Sequence, residues 1–235
     1  MSLKSKIIEK DCLTNEDILQ MFQLMERHYE NLNYDNFIKD LNEKDYCIVI
    51  YTEEDNKIRG FSTQKLLSFK NGTSNINGVF SGDTVIDKEY WGSLELYKCF
   101  AQFFVKTGEG DDRFYWFLTS KGYKTYKILP LFFENFYPDY RTDTPTEVKS
   151  IMNRFGEIKY PDDYDKEKGV IVYKGTRDRL KSGIADIEEK HIKDPDIKFF
   201  LEKNPGFKDG DDLVCLTELK MSNLKRIAKR LLFEK

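Results

Sequence analysis

The chain has 235 residues, of which 40% are hydrophobic and 34% are charged, and its formal net charge is −3. This balance predicts one large globular domain, or one domain with a sizeable appendage, and excludes a largely disordered chain. The slightly acidic charge argues against a nucleic-acid partner, because phosphate contacts require a basic surface. No apolar run approaches the roughly 20 residues of a membrane-spanning helix, and the first ten residues lack the apolar core of a signal peptide. We therefore expect a cytoplasmic protein with no membrane partner.

The cysteines and histidines predict no metal site. Cys12, Cys47, Cys99 and Cys215 are widely separated and form no CxxC pair, and only two histidines accompany them. We expect the cysteines to be free, buried thiols in a reducing compartment. We expect His28 to be a partly exposed surface residue.

The chain begins with a strand pattern followed by two helix patterns. Residues 4–9 predict a short strand. Thr14 is placed to cap a first helix, whose apolar residues from Ile18 to Tyr29 recur at helical spacing. Asp35 is the expected cap of a second, shorter helix.

The next segments predict a three-stranded antiparallel meander. Its strands are expected at residues 46–51, 58–69 and 75–86. Asn71 and Gly72 form a strong hairpin signal, because both residue types tolerate a positive φ. Gly78 and Gly82 lie inside the third strand and indicate a bulge or a close backbone approach.

Helix and strand patterns then alternate. We expect a helix at residues 91–106, a buried strand at 114–118, a helix at 123–133 that Pro130 kinks or stops, and an extended aromatic segment at 135–140. Beyond residue 140 the patterns are short and end in a basic amphipathic helix from Ser222, which we expect to dock on the domain. We predict one domain over residues 1–140 and a C-terminal α/β extension, residues 141–235, packed on it.

The stretch from Val85 to Leu96 joins the last meander strand directly to a helix. Such a junction offers backbone N–H groups to an anion. The junction and the element order over about residues 4–140 resemble the GCN5-related N-acetyltransferase (GNAT) family. The resemblance implies an α+β fold with a mixed sheet, an antiparallel meander and helices on both faces. It also implies that residues 114–118 pair parallel to the last meander strand at a V-shaped split.

The resemblance further implies acetyl-CoA or another acyl-CoA as co-substrate. In the family, a loop of the form (Arg/Gln)-x-x-Gly-x-(Gly/Ala) holds the CoA pyrophosphate. Aligned by the strand end, Trp91 stands at the basic position and Leu94 and Leu96 stand at the two small positions, with Gly92 between Trp91 and Leu94. A second register uses Gly92 as the first small residue and puts Glu89 at the basic position. The alternative interpretation is that residues 87–93 only start a helix.

Seven residues are expected to contact the co-substrate if this resemblance holds. Three would follow its pantetheine arm and four would hold its pyrophosphate. They are Thr84, Val85 and Ile86 for the arm, and Trp91, Gly92, Ser93 and Leu94 for the pyrophosphate.

Three residues are candidates for catalysis. The resemblance implies a tyrosine on the helix after the fifth strand that protonates the departing thiolate, and Tyr126 lies nearest that position. Asp83, near the end of the central strand, and Glu134, inside an aromatic run, are the candidate bases. Each residue also has a structural interpretation: core packing for Tyr126, a bulge or turn for Asp83, and an exposed position for Glu134.

These features predict an N-acyltransferase that acts on a small-molecule or peptide amine, and they leave a homodimer open. Two other classes compete with this interpretation. A non-catalytic GNAT-fold binding or regulatory protein is favoured by the incomplete pyrophosphate loop. An unrelated α+β scaffold that acts as an interaction protein is the third hypothesis.

Overall fold

The computed structural model describes residues 2–108, 111, 113–175, 178–184 and 186–233. The strands are β1 (Leu3–Glu9), β2 (Tyr29–Glu30), β3 (Tyr46–Thr52), β4 (Ile58–Asn71), β5 (Ser74–Ile86), β6 (Phe114–Ser120), β7 (Phe136–Tyr137), β8 (Tyr164–Asp165), β9 (Val170–Ile171), β10 (Arg179–Leu180) and β11 (Asp212–Glu218). The helices are α1 (Asn15–His28), α2 (Tyr34–Asn42), α3 (Glu95–Thr107), α4 (Tyr123–Tyr126), α5 (Ile128–Phe132), α6 (Thr146–Lys159), α7 (Glu189–Ile192), α8 (Pro195–Lys203) and α9 (Arg226–Phe233).

One mixed sheet organises the chain in the order β1-β3-β4-β5-β6-β11-β9-β8, with β7 paired to β11. The β3–β4 and β4–β5 pairs are antiparallel, which confirms the predicted meander. The β5–β6 pair is parallel from Asn77 opposite Phe114 to Ser81 opposite Leu118, which confirms the predicted parallel strand. β5 and β6 both continue beyond Ser81 and Leu118 but no longer pair with each other, so the sheet splits there. β2 and β10 form a separate two-stranded sheet.

Helices cover both faces of the sheet, as predicted. On one face, α3, α5 and α9 pack in a cluster that includes Ile48 and Val79. On the other face, α1 and α2 pack on Val49, and α6 packs on Phe80. Successive residues of one strand belong to opposite clusters, because side chains alternate across a pleated strand.

The C-terminal residues extend the same sheet. β11 pairs antiparallel with β6, with Leu213 opposite Ser120 and Glu218 opposite Tyr115. The sheet is therefore continuous across the predicted boundary at residue 140. Residues 141–235 contribute the strand next to the split as well as helices that pack around it.

Two predicted helix starts are wrong for local reasons. α2 is capped by the side chain of Asn33, which accepts from the backbone of Asn36, and not by Asp35. α3 begins at Glu95 rather than at residue 91. Gly92 has a φ of 92°, which belongs to the left-handed region and cannot continue a right-handed helix.

The prediction for His28 is also wrong, since its side chain is only 4% exposed. Its Nδ1 lies 3.0 Å from the Leu24 carbonyl oxygen, and its backbone carbonyl accepts from the N–H of Lys181 at 2.8 Å. The C-terminal part of the chain covers this end of α1, which the helical pattern alone does not reveal. All four cysteines are free; Cys12 is exposed and the other three are buried.

Candidate active site at the split of the sheet

A cavity of about 760 Å³ lies where β5 and β6 separate. Ser81 and Leu118, the last paired residues, line it, as do Asp83 and Thr119 just beyond them. This volume is within the usual range for a small-molecule site. The split in the sheet is what creates the cavity, because the diverging strands leave space between them.

One side of the cavity is apolar. We call it the apolar half, and its members are Leu96, Tyr97, Phe100, Trp116, Leu118 and Ile128. All of them belong to, or pack on, the cluster beneath α3. This half therefore lies on the α3 face of the sheet.

The opposite side of the cavity is polar and acidic. We call it the acidic half, and its carboxylates are Asp40, Glu43, Asp83, Asp162, Asp163, Asp178 and Asp212. Met25 of α1 and Phe37 of α2 line the same side and belong to the cluster on the other face of the sheet. Because both faces contribute lining residues, the cavity passes through the sheet at the split.

A β-bulge directs Asp83 to the acidic half. The register of β4 and β5 shifts between Ser62 and Gln64, where β5 carries one extra residue. Val79 belongs to the cluster beneath α3, whereas Val85 belongs to the cluster beneath α1. In an uninterrupted strand these two residues, six positions apart, would lie on the same face. The bulge between them reverses the alternation.

Two glycines are required for this arrangement of β5. A Cβ on Gly82 would lie 2.7 Å from the Cε of Lys44 and 2.7 Å from the Oγ1 of Thr63. A Cβ on Gly78 would lie 2.3 Å from the carbonyl oxygen of Tyr115 on β6. Both positions confirm the prediction of a bulge or a close backbone approach in this strand.

The carboxyl of Asp83 has no hydrogen-bond or ion-pair partner in the part of the chain that the structure describes. Burial raises its pKa to about 7, with further raising by Asp40 and Asp178, against the lowering effect of Lys44 and Lys121. A carboxyl that titrates near neutral pH can accept a proton from a bound ligand. The position and raised pKa of Asp83 therefore make it a candidate base in the cavity.

Lys121, at the end of β6, lies among three of the cavity's carboxylates. Its Nζ donates to the Oδ2 of Asp178 at 2.8 Å. Burial opposes its charged form, yet Asp212, Asp178 and Asp83 raise its pKa above the usual value. Asp212 is buried too, which raises its pKa, and its Oδ2 accepts from the hydroxyl of Tyr173 at 2.8 Å.

The predicted pantetheine residues lie at the end of β5. Thr84 is exposed and lines the cavity. Val85 is buried beneath α1, and the carbonyl oxygen of Ile86 accepts from the Nε1 of Trp91 at 2.9 Å. Of these three predicted residues, Thr84 is the one whose side chain reaches the cavity.

The predicted pyrophosphate residues form a turn between β5 and α3. The N–H groups of Trp91 and Ser93 already donate to carbonyl oxygens within this turn. The Oγ of Ser93 accepts from the N–H of Glu95 at 3.2 Å. The amides of Gly92 and Leu94 are therefore the ones that remain for an anion.

Two lysines beside this turn were missed by the sequence analysis. The Nζ of Lys124 lies 3.8 Å from the ring centroid of Trp91, and the Nζ of Lys88 lies 5.9 Å from it. Burial and the neighbouring Lys88 lower the pKa of Lys124. Two ammonium groups at this turn supply positive charge that the incomplete glycine pattern does not.

The structure does not bring Tyr126 and Glu134 to the cavity. Tyr126 is fully buried, and its hydroxyl donates to the carbonyl oxygen of Pro138 at 2.8 Å. Glu134 is exposed, and its N–H donates to the carbonyl oxygen of Asn223. These positions agree with core packing for Tyr126 and with an exposed turn for Glu134. Of the three candidate catalytic residues, Asp83 alone lines the cavity.

No group of three or more His, Cys, Asp or Glu side chains is arranged to hold a metal ion in the described ranges. Among the same residues, no helix is long and apolar enough to cross a membrane.

The meander β3–β5, the crossover through α3 to a parallel β6, and the split beyond their last pair reproduce the layout that the sequence implied. This is the GNAT fold. No family model matches the chain, and a search of curated proteins returns no match.

Three solved structures resemble parts of the chain. A probable N-acyltransferase from Enterococcus faecalis V583 is 15% identical over 55% of this chain and 32% of its own, with a TM-score of 0.42. A GNAT family N-acetyltransferase from Escherichia coli, in complex with CoA, is 14% identical over 52% of this chain and 65% of its own, with a TM-score of 0.38. An acetyltransferase from Trypanosoma brucei is 16% identical over 61% of this chain and 100% of its own, with a TM-score of 0.41. The matched region thus spans about a third of the Enterococcus protein, and the fold assignment rests on the strand order.

Proposed function

We propose that this protein is an N-acyltransferase that moves an acyl group from acyl-CoA, with acetyl-CoA as the first donor to test, to an amine. The observation that supports this most strongly is the position of Asp83. Its carboxyl lies at the bulge of β5, in a cavity at the split of a GNAT fold, and its pKa is raised to about 7.

Asp83 suits the first requirement of the reaction. An alkyl amine arrives as an ammonium with a pKa of about 10, and its nitrogen attacks only after losing a proton. The nitrogen then bonds to the thioester carbonyl carbon, the carbon–sulfur bond breaks, and the sulfur leaves as a thiolate that takes up, directly or through water, the second proton lost by the nitrogen. Asp83 is proposed to accept the ammonium proton, directly or through water.

The donor is proposed to lie in the apolar half, with its phosphates at the turn that contains Gly92. The walls formed by Leu96 and Phe100 suit an uncharged arm that leads to the split. Lys88 and Lys124 would supply the positive charge for the phosphates. This arrangement retains the site predicted from the sequence but replaces the missing glycines with lysine side chains.

A non-catalytic GNAT-fold protein is the second candidate, and contacts of the C-terminal residues favour it. Lys124 donates to the carbonyl oxygen of Ile184 at 2.6 Å, and Lys121 is bonded to Asp178 at 2.8 Å. Two lysines that would face the ligands are therefore already engaged by the segment after β9. Acyl-CoA binding without transfer to any amine would support this candidate.

A thermal-shift experiment with Gly92→Val tests the donor site. Saturating acetyl-CoA, at about 100 times its Kd, should raise the melting temperature of the native chain by roughly 5–10 °C. Gly92→Val should abolish this rise, because valine is strained at a φ of 92° and the turn must change. Gly72→Val is the matched control: its φ is 62° in the remote β4–β5 hairpin, so its acetyl-CoA response should persist. An unchanged response in Gly92→Val would place the anion site elsewhere.

Transfer itself is measured by release of the free CoA thiol in the presence of a panel of amines. Thiol release that depends on an added amine supports the acyltransferase proposal. A thermal shift with no amine-dependent release from any acyl-CoA would contradict it.

A further inference from the structure

The charge of the cavity is unbalanced. Among the described residues that line it, seven are acidic and four are lysines. We propose that the amine acceptor is a small molecule with at least two ammonium groups, bound in the acidic half. This inference rests on the proposed function, because it concerns the acceptor of the same site.

Two of the four lysines in the cavity are paired with neighbouring carboxylates. Lys159 forms an ion pair with Glu43 and lies 3.8 Å from Asp40. Lys121 forms an ion pair with Asp178 at 2.8 Å. The charges of these lysines are thus already compensated inside the protein.

Asp83 and Asp212 remain without a cation at ion-pair distance within the described ranges. Asp212 accepts a hydrogen bond from Tyr173, which is neutral, and Asp83 has no such partner. Lys121 stabilises both carboxylates only from beyond ion-pair distance, and carboxylates removed from water without a cation in direct contact are costly in free energy. A ligand that brings positive charge to both would relieve this cost.

Two titratable neighbours respond to the same negative field. Lys121 has a raised pKa despite its burial, because Asp212, Asp178 and Asp83 surround it. Burial raises the pKa of Tyr29, and Asp83 raises it further. These responses come from Lys121, which follows β6, and from Tyr29 on β2, so the field extends across the acidic half and is not confined to one carboxyl.

Aromatic rings in the acidic half already lie close to the ammonium groups of lysine side chains. The Nζ of Lys121 lies 5.9 Å from the ring centroid of Tyr29 and 5.5 Å from that of Tyr173. The Nζ of Lys159 lies 5.6 Å from the ring centroid of Phe80. Ring faces attract cations at such distances, so the same walls suit the ammonium groups of a ligand.

Two ammonium groups are needed because the reacting one loses its charge. When Asp83 accepts the proton, neither partner of that pair remains charged, and their electrostatic attraction disappears. A second ammonium near Asp212 stays protonated and keeps the acceptor bound during transfer. Since the cavity of about 760 Å³ must also admit the donor arm, the acceptor is a small molecule and not a folded protein.

Calorimetric titration of the full chain in the absence of acyl-CoA tests the inference. Spermidine, a tricationic probe, should bind at least about tenfold more tightly than butylamine, which carries one ammonium. Asp212→Asn should weaken spermidine about tenfold and leave butylamine nearly unchanged, since asparagine still accepts the hydroxyl of Tyr173. Asp143→Asn removes an exposed carboxylate outside the cavity and should change neither affinity.

Several results would overturn the inference. These are equal affinities for the two amines in the native chain, equal affinity of Asp212→Asn and the native chain for spermidine, and tighter binding of a lysine-containing peptide than of spermidine. The comparison of the two amines on the native chain remains decisive even if Asp212→Asn does not fold. Spermidine that binds as expected, with no thiol release from any acyl-CoA in the presence of any amine, would contradict the proposed function alone. Acyl transfer to butylamine and spermidine with equal efficiency would leave the function standing and remove this inference.

Discussion

Asp83→Asn is expected to lower the rate of acyl transfer by roughly two to four orders of magnitude, because the proposed base for the ammonium proton is lost. The acetyl-CoA-induced thermal shift should stay nearly unchanged, since the carboxyl lies on the acceptor side of the split. The measurement is thiol release against amine concentration in both variants. Glu134→Gln is the matched control, because it neutralises an exposed acid that does not line the cavity. Native rates in Asp83→Asn would remove Asp83 from the mechanism.

The same substitution should also reveal a pH dependence of stability. The pKa of Asp83 is about 7 in the folded chain, because burial and two neighbouring carboxylates raise it, and about 3.8 when unfolded. Between these values the folded chain binds the extra proton, so its stability falls as the pH rises from about 4 to 7. Above pH 7 the charged carboxylate destabilises the fold, and Asp83→Asn should increase the free energy of unfolding by about 1–3 kcal/mol. Urea melts at pH 5 and pH 8 measure this, and the gain should shrink at the lower pH.

The rate of the proposed acyl transfer by the native chain should rise with pH through about 7, the pKa of Asp83. Only the ionised carboxylate can accept the ammonium proton, so activity follows its ionisation. Asp40 and Asp178 raise this pKa, whereas Lys44 and Lys121 lower it. A kcat/KM profile that is flat from pH 5.5 to 8 would contradict the assignment.

Gly78→Ala is expected to lower the free energy of unfolding by about 3 kcal/mol or more. The new Cβ would lie 2.3 Å from the backbone carbonyl oxygen of Tyr115, which cannot rotate away as a side chain would. The strain falls on the parallel β5–β6 pair that ends at the split, so the response to acetyl-CoA should weaken as well. The free energy is measured by urea unfolding.

Gly60→Ala provides the control for this strand substitution. Its Cβ would meet the nearest atoms at 3.1–3.3 Å, a contact that small shifts relieve. We expect a loss of less than about 1 kcal/mol for Gly60→Ala. Equal losses at both positions would show that the effect is loss of glycine itself and not the contact with β6.

Much of the fold could be predicted because its signals are local. The hairpin turn at Gly72 requires a positive φ, and the side chain of Thr14 accepts the N–H of Asp17, three residues away, at the start of α1. Pro130 lacks an N–H and disfavours helix four residues earlier, and α4 indeed ends at Tyr126. In each case the cause and its effect lie within about one helical turn of each other.

The errors arise where two local signals compete or a distant segment intervenes. Asn33 and Asp35 are both good caps, and the sequence does not rank them. The helical pattern of α1 predicts a partly exposed side chain for His28. In the structure this side chain is buried, and the backbone N–H of Lys181, far along the chain, donates to the backbone carbonyl of His28. Tyr126 has the expected position in the chain, yet its ring packs among Phe136 and other aromatic side chains.

The sequence by itself determined the strand and helix pattern, the glycines of β5 and the candidacy of Asp83, because each depends on residues close in the chain. Only the tertiary structure decided which side chains share the cavity with Asp83. Lys121, Asp178 and Asp212 are far apart in the chain and follow no common sequence spacing. Lys121 and Asp212 meet because β11 pairs beside β6 at the split, and Asp178 lies next to β10, which pairs with β2. The charge that selects a ligand is therefore a property of the fold rather than of any motif in the chain.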